Sequence, residues 1–293
     1  MNTRKLRFRP LDAFLIALCL AAGVYVYYRI AYGLEYHGNW RAIPQFLVRR
    51  DPATGRLLPN FLLEGLATTL KLSVWASLLA GVLGLAIALC RTSKSLFLQL
   101  VGGTYVELIR NLPPLVLVFI FYYFVIDQVM PLLGIEGAIR NASPGAQRVV
   151  GWLAAKPSLL TQFISGVVTL AFFEGAYFAE IIRGGIVSIE RGQREAAYSL
   201  GLSWYDEMRD IVLPQAFKRV LPALANEFIN TIKYSSIASV VSIQELTFMG
   251  RQVVVATRYI FETWITVSLM YMLLTLTLSL VTSRMEQRLA RSG

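Results

Sequence analysis

Histidine and cysteine are almost missing from this chain of 293 residues: one histidine, His37, and two cysteines, Cys19 and Cys90. Catalysis by a histidine base, or by a His/Cys metal centre, would rest on these three side chains alone. Both cysteines lie inside apolar blocks, which supports neither a disulfide framework nor a zinc site. His37 stands beside Tyr36 and Trp40, the company of a membrane-interface loop. No G-x-x-x-x-G-K-[ST] phosphate loop occurs, so the chain does not cradle ATP in that manner. A Ser-centred glycine elbow with a matching base is missing too. An intramembrane hydrolase fails on this inventory, and we assign no catalytic residue and no metal ligand. Charge is also scarce, at 16% of residues.

What the chain has instead is apolar sequence in long blocks. It is 56% hydrophobic, with a mean hydropathy of +0.55. A spanning helix needs about 20 apolar residues. Blocks of that order lie near 12–30, 61–90, 98–125, 159–187 and 258–283. A weaker sixth, near 223–246, carries Glu227, Asn230 and Lys233. The expected fold is all-α: a polytopic membrane helical bundle of about six transmembrane helices, a five-helix core plus an N-terminal helix. Residues 1–60 read as that first helix and an external loop, and 61–293 as one membrane domain.

The net charge of +10 in a soluble protein would suggest nucleic acid. Here positive residues holding cytoplasmic loops inside explain it better, so no nucleic acid is expected. Arg4, Lys5, Arg7 and Arg9 precede the first block, Arg91 and Lys94 follow the second, and Arg284, Arg288 and Arg291 follow the last. Alternation puts all three groups on one side, with both termini cytoplasmic. Arg41, Arg49, Arg50 and Arg56 then fall outside, and the sequence offers no account of them. The first block has a basic start like a secretory signal. It runs on into Tyr25, Tyr27, Tyr28 and Arg29 without a small-x-small cleavage site, and reads as a retained helix. The loop at 127–158 holds Pro131, Gly134, Gly137, Pro144, Gly145 and Pro157 and belongs outside.

Two polar interruptions stand out. In the third block, Glu107, Arg110 and Asn111 come just before Pro113 and Pro114. Proline removes a donor and disturbs the preceding turn. Charged groups at membrane depth are tolerated where they line water or protein. The segment reads either as a pathway element or as a kinked helix with its charges at the interface.

The second interruption is Glu195–Pro214, EAAYSLGLSWYDEMRDIVLP. It fits E-A-A, three residues, Gly, nine residues, Ile-x-Leu-Pro at Glu195, Ala196, Ala197, Gly201, Ile211, Leu213 and Pro214. Gln193, Ala196, Ala197 and Leu200 share a helical face. Gly201 can take the left-handed conformation that ends a helix. Ser203 can cap a second helix, with Asp206 three positions on. That helix is expected to stop before Pro214. The alanines would let a partner approach closely, and Glu195 would offer it a charge.

This spacing resembles the cytoplasmic coupling loop, here about 188–222, of permease subunits in binding-protein-dependent ABC importers. Upstream, Tyr177, Glu180, Arg183, Gly184, Gly185, Ile186, Gly192 and Gln193 narrow the resemblance to the polar amino-acid permeases of the histidine, glutamine and general amino-acid type. Thr68, Thr69 and Leu70 agree, as do Tyr105, Glu107, Arg110 and Pro113. The likeness spans about 63–284. It departs at Arg110-Asn111-Leu112-Pro113, where the family has an Arg-Gly-Thr-Pro-like stretch. It departs again at Lys233-Tyr234-Ser235-Ser236-Ile237, where Lys-Asp-Thr-Ser-Leu is usual. The substrate within the class stays open.

The resemblance implies an inner-membrane permease, not an enzyme, with no cofactor of its own. ATP and Mg would sit on a separate ABC ATPase dimer. A second permease subunit, identical or related, an extracytoplasmic solute-binding protein, an amino-acid substrate and surrounding membrane lipid are the other implied partners. Gln193, Glu195, Ala196, Ala197, Gly201, Ile211, Leu213 and Pro214 would couple to the ATPase. Glu107, Arg110, Glu174, Tyr177, Glu180, Lys233 and Ser235 are the candidates for the substrate pathway. Glu180 and Arg183, at i and i+3, can equally neutralise one another. Since the coupling pattern is shared among importers, a permease for a compatible solute or an anion is the alternative.

Overall fold

The structure, a computed structural model, describes residues 10–33 and 38–292. Met1–Arg9, including the basic residues before the first helix, and Leu34–His37 lie outside the described residues. The elements in chain order are α1 (Pro10–Gly33), α2 (Pro44–Leu47), β1 (Val48–Arg50), β2 (Leu57–Pro59), α3 (Phe61–Thr92), α4 (Leu96–Asn111), α5 (Pro114–Phe121), α6 (Asp127–Val129) and α7 (Ile135–Arg140). They continue with α8 (Pro144–Leu153), α9 (Leu160–Val187), α10 (Arg191–Ser199), α11 (Trp204–Asp206), α12 (Leu213–Tyr234), α13 (Leu246–Thr257) and α14 (Ile260–Ser292). Helices dominate, as the long apolar blocks require.

The chain divides into two compact units, one ending at Ala42 and the other starting at Ile43. The first is built on α1. The second begins before residue 60: α2 and a small antiparallel hairpin belong to it. β1 pairs with β2 in the register Val48↔Pro59, Arg49↔Leu58 and Arg50↔Leu57. The turn closes through Asp51, whose carboxylate accepts from the Ala53 N–H at 3.0 Å and the Thr54 hydroxyl at 2.6 Å. Gly55 supplies the positive φ, +67°. Those hydrogen bonds hold the exposed Asp51 carboxyl below the usual carboxylate range.

Among the described residues, four helices are long and apolar enough to cross a membrane: Pro10–Arg29, Phe61–Thr92, Pro157–Val187 and Ile260–Gln287. A bent helix pair, either a broken fifth span or a re-entrant loop, is apolar enough to join them. α4 and the stretch Pro114–Phe124 meet at a bend of 117°. That is far sharper than a proline kink in one rod, because Leu112 and Pro113 are both extended (ψ 146° and 131°). The sixth expected block, 223–246, is no continuous helix. α12 ends at Tyr234, a 3-10 segment covers Ser235–Val241, and Ser242 turns left-handed at φ +64°. Glu227, Asn230 and Lys233 also leave α12 too polar to count as an apolar span.

α3 and α9 form the spine of the second unit. They run parallel: Glu64 near the start of α3 pairs with Lys156 just before α9, and Arg91 at the end of α3 pairs with Glu180 in the last turns of α9. The buried stripe of α3 is small, including Gly65, Thr69, Ser73, Ala76, Ala80, Gly84 and Ala88. Small residues let helix backbones approach closely in a membrane. A Cβ on Gly84 would lie 2.7 Å from the Phe178 Cβ and 2.9 Å from the Ala179 nitrogen. The outer face of α3 is apolar and open, with Leu78 and Val82 exposed, as expected of a face that meets lipid.

Glu245 pins the start of α13. Fully buried, it accepts from the Thr247 and Phe248 N–H groups at 2.9 and 2.7 Å, and Tyr271 of α14 donates its hydroxyl proton at 2.6 Å. The Leu246 N–H bonds Thr69 of α3 at 3.1 Å. The Thr69 hydroxyl in turn donates to the Glu245 carboxylate at 3.4 Å, so that one carboxylate fastens three helices.

Candidate coupling loop and polar pathway

α9 ends at Val187 and the chain turns at Ser188–Glu190 into α10. α10 closes on glycine. The Gly201 N–H bonds the Tyr198 carbonyl at 2.9 Å and the Leu202 N–H bonds the Ala197 carbonyl at 3.1 Å. These are the two bonds of a Schellman closure, which needs a left-handed residue between them. Gly201 provides it at φ +73°. Ser203 then caps α11, accepting from the Asp206 N–H at 3.2 Å. Both features match the sequence expectation.

The expected stop before Pro214 is not there. From Trp204 the chain stays helical through a wide π turn at Glu207–Val212 and directly into α12, with Pro214 in its first turn. A proline is tolerated in that first turn, where its missing N–H costs no bond. The wide turn supplies a fresh helix start just ahead of it. α11 and α12 therefore form one lever from the loop into the bundle.

The loop has an inner and an outer face. Met208 and Val212 bury themselves with Ala88 of α3, Ile182 and Ile186 of α9 and Ala216 of α12. Ala197 is buried as well, at 1% exposure, so it packs inward and is not open to a partner, contrary to expectation. Ile211 and Leu213 are half-buried. Outward stand Gln193, Glu195 and Ala196, together with Tyr198 (84% exposed) and Leu200 (78%). Arg194 donates to the Ile186 carbonyl at 2.9 Å, and Arg219 to the Ser188 carbonyl. Arg194 thus ties α10 to α9, and Arg219 ties α12 to the turn that follows α9.

The seven pathway candidates separate into groups. Arg110, Glu174 and Tyr177 come together: the Arg110 guanidinium lies 5.7 Å from the centre of the Tyr177 ring. Glu174 is fully buried and faces Glu227 and Thr231 of α12. Tyr177 has Glu227 and Tyr234 as further neighbours. The other four lie elsewhere. Glu107 is exposed and holds Asn111 at 3.0 Å. Glu180 is bound by Arg91 and by Arg183, the latter at 2.6 Å, so the pairing reading holds for it. Lys233 is exposed and, among the described residues, bonds Asn230 at 3.4 Å. Ser235 is buried but donates to the Ile232 carbonyl at 2.7 Å, closing its own helix end.

Glu227, Thr231 and Tyr234 were missed as site residues. The signal was present: Glu227, Asn230 and Thr231 recur at i, i+3 and i+4, a polar face on α12. Among the described residues no group of three or more His, Cys, Asp or Glu could hold a metal ion.

Long apolar helices packed on an apolar core, with a few buried polar side chains and a looped helical segment at one end, define a polytopic membrane protein. The sequence profile described as "Binding-protein-dependent transport system inner membrane component" matches residues 80–292. The chain is similar to the "Probable glutamine ABC transporter permease protein GlnM" of Bacillus subtilis (strain 168), 36% identical, over 80% of this chain and 97% of that one. It is similar also to the "Arginine transport system permease protein ArtQ" of the same organism, 34% identical, over 78% and 92%. Among solved structures, the "Crystal structure of an amino acid ABC transporter with histidines" superposes with a TM-score of 0.62 at 35% identity, over 78% of this chain and 94% of that one. The chain belongs to the binding-protein-dependent transport system inner membrane components, the permease subunits of ABC importers. Its work is transport, not catalysis, and such a permease implies an ATPase and a binding protein as partners.

Proposed function

We propose that this permease passes a polar or charged amino acid through the inner membrane. The observation that carries the reading is the constellation of Arg110, Tyr177, Glu174 and Glu227, drawn from α4, α9 and α12. A zwitterion needs both of its charges matched. A guanidinium suits an α-carboxylate, and a carboxylate suits an α-ammonium. Intramembrane ionisable groups are costly and mark substrate routes. The names of the relatives, glutamine and arginine permeases and a transporter with histidines, support the same class.

In this reading ATP and Mg are held by a dimer of a separate ATPase, and a second permease, identical or related, completes the pathway. A solute-binding protein delivers the substrate from outside. The loop Ser188–Pro214 and both termini face the cytoplasm. Glu195, Ala196, Tyr198 and Leu200 present the docking surface. Gly201 sets its angle, while Ile211, Leu213 and Pro214 carry the lever into α12. Because Met208 and Val212 are buried against α3 and α9, a displacement of the loop moves those helix ends as a body.

The test is ATPase stimulation in the reconstituted complex across a panel of amino acids. Stimulation by polar or charged L-amino acids is expected, and Glu227→Gln and Arg110→Gln should raise the half-stimulating concentration by at least tenfold. Stimulation by a compatible solute or an inorganic anion instead, with no response to amino acids, would show the substrate class to be wrong.

A further inference from the structure

At the end of the bundle opposite the Ser188–Pro214 loop, a cavity of about 350 Å³ opens beneath the β1–β2 hairpin. Its walls come from the hairpin, the first turns of α3, the chain between α8 and α9, and the residues entering α13. Three cations line it, Arg49, Lys71 and Lys156, against a single carboxylate, Glu64. Lys156 and Glu64 satisfy each other at 3.0 Å. The carboxylate nearest to Arg49 in sequence, Asp51, is engaged in the hairpin turn. Among the described residues neither Lys71 nor Arg49 forms a salt bridge, although the charge of Asp51 acts on Arg49 from the hairpin turn.

Lys71 is the telling one. It stands ten residues into α3, roughly 15 Å along the axis, in a helix apolar enough to span a membrane. An ammonium there is expensive, and such groups are kept for function. Its Nζ meets the Gly151 carbonyl at 3.1 Å, which satisfies one of three donors and none of the charge. Thr68, Gln162 and Gln244 add polar groups to the same cavity, and the rest of the wall is apolar. The volume lies in the range of small-molecule sites, about 300–1,000 Å³. Gln162 is fifteen residues before Tyr177 on α9, roughly 22 Å away along the helix. The cavity is therefore separate from the Arg110–Tyr177–Glu174–Glu227 constellation.

We propose that this cavity is an anion site, in which Lys71 at the floor and Arg49 at the rim hold one carboxylate or phosphate group while the apolar wall takes the attached carbon chain. The chemistry has two sources: the carboxylate of a free amino acid, or the phosphate of an anionic phospholipid. The delipidated complex of permease and ATPase, in detergent, is titrated with radiolabelled glutamine in one arm. In the other it is titrated with phosphatidylglycerol, with phosphatidylcholine as the control, and read by thermal unfolding.

Saturable binding in either arm, weakened about tenfold or more by Lys71→Met, several-fold by Arg49→Ala, and retained in Lys71→Arg, is expected. The responding arm names the source. No saturable binding of glutamine, together with equal responses to the two lipids, overturns the proposal. So does wild-type affinity in both Lys71→Met and Arg49→Ala. If Lys71→Met does not insert, Arg49→Ala on the exposed hairpin decides alone, and unchanged affinity overturns the site. ATP-driven uptake is not read in either arm, so failure here leaves the transport reading standing.

Discussion

Replacing Gly201 by valine separates the geometry of the loop from its chemistry. Gly201 sits at φ +73°, and a Cβ there would meet no atom within 4 Å. The Cβ itself therefore meets no steric conflict, and the main penalty falls on the backbone conformation. A residue with a Cβ pays about 1–2 kcal/mol in the left-handed region. If the turn relaxes to escape this, the Leu202–Ala197 and Gly201–Tyr198 bonds are lost, each worth about 0.5–1.5 kcal/mol. A change of one or two kcal/mol shifts a two-state population by about 5–30-fold. Gly201→Val should therefore insert and accumulate normally, because the buried anchors Met208 and Val212 are untouched, while ATPase co-purification and transport fall by that order. Asparagine tolerates the left-handed region better than other residues with a side chain, so Gly201→Asn should retain most of both. Normal co-purification and transport in the valine variant would refute the reasoning. So would an asparagine variant as impaired as the valine one.

Glu195→Ala should weaken ATPase association less than Gly201→Val, by about 1 kcal/mol or less, because an exposed ion pair is worth no more; this is measured by co-purification over a salt series. Gly84→Val should lower the amount of folded protein in the membrane and its unfolding temperature. The added Cβ meets Phe178 and the Ala179 backbone, and overpacking costs about 1–3 kcal/mol; Gly81→Ala, with only a 4.0 Å contact, should be silent in the same assay. Cysteines placed at the exposed Ser143 and Ser199 should react with an impermeant thiol reagent from opposite sides of the membrane, and labelling of both from one side would contradict the orientation.

Features set by a few neighbouring residues were legible in the sequence. The Gly201 turn and the Ser203 cap depend on local backbone chemistry, and they are found where the spacing put them. The Asp51–Gly55 turn, with its aspartate, proline and glycine, carried an equally local signal for the β1–β2 hairpin, which went unread. Features set by distant packing were not legible. Ala197 is buried, and the helical face it shares with exposed Gln193, Ala196 and Leu200 does not say which of them turns inward. Pro214 reads as a stop locally, yet the π turn before it lets the helix continue. Glu174, Tyr177 and Glu180 follow one another at i, i+3 and i+6 along α9, but Arg91, 89 residues earlier in the chain, claims Glu180. Glu227, from another helix, faces Glu174. Such pairings belong to the bundle and are invisible along one helix.

The central claim, that this chain moves amino acids with energy supplied by a separate ATPase, is tested most directly by uptake into proteoliposomes. The permease is reconstituted with its ATPase, ATP is enclosed, and the binding protein with labelled glutamine or arginine is added outside. Accumulation of at least one of the two is predicted when all parts are present, and none when the ATPase, the binding protein or ATP is left out. Uptake that persists without the ATPase, or failure of every polar amino acid while another solute accumulates, would contradict the account.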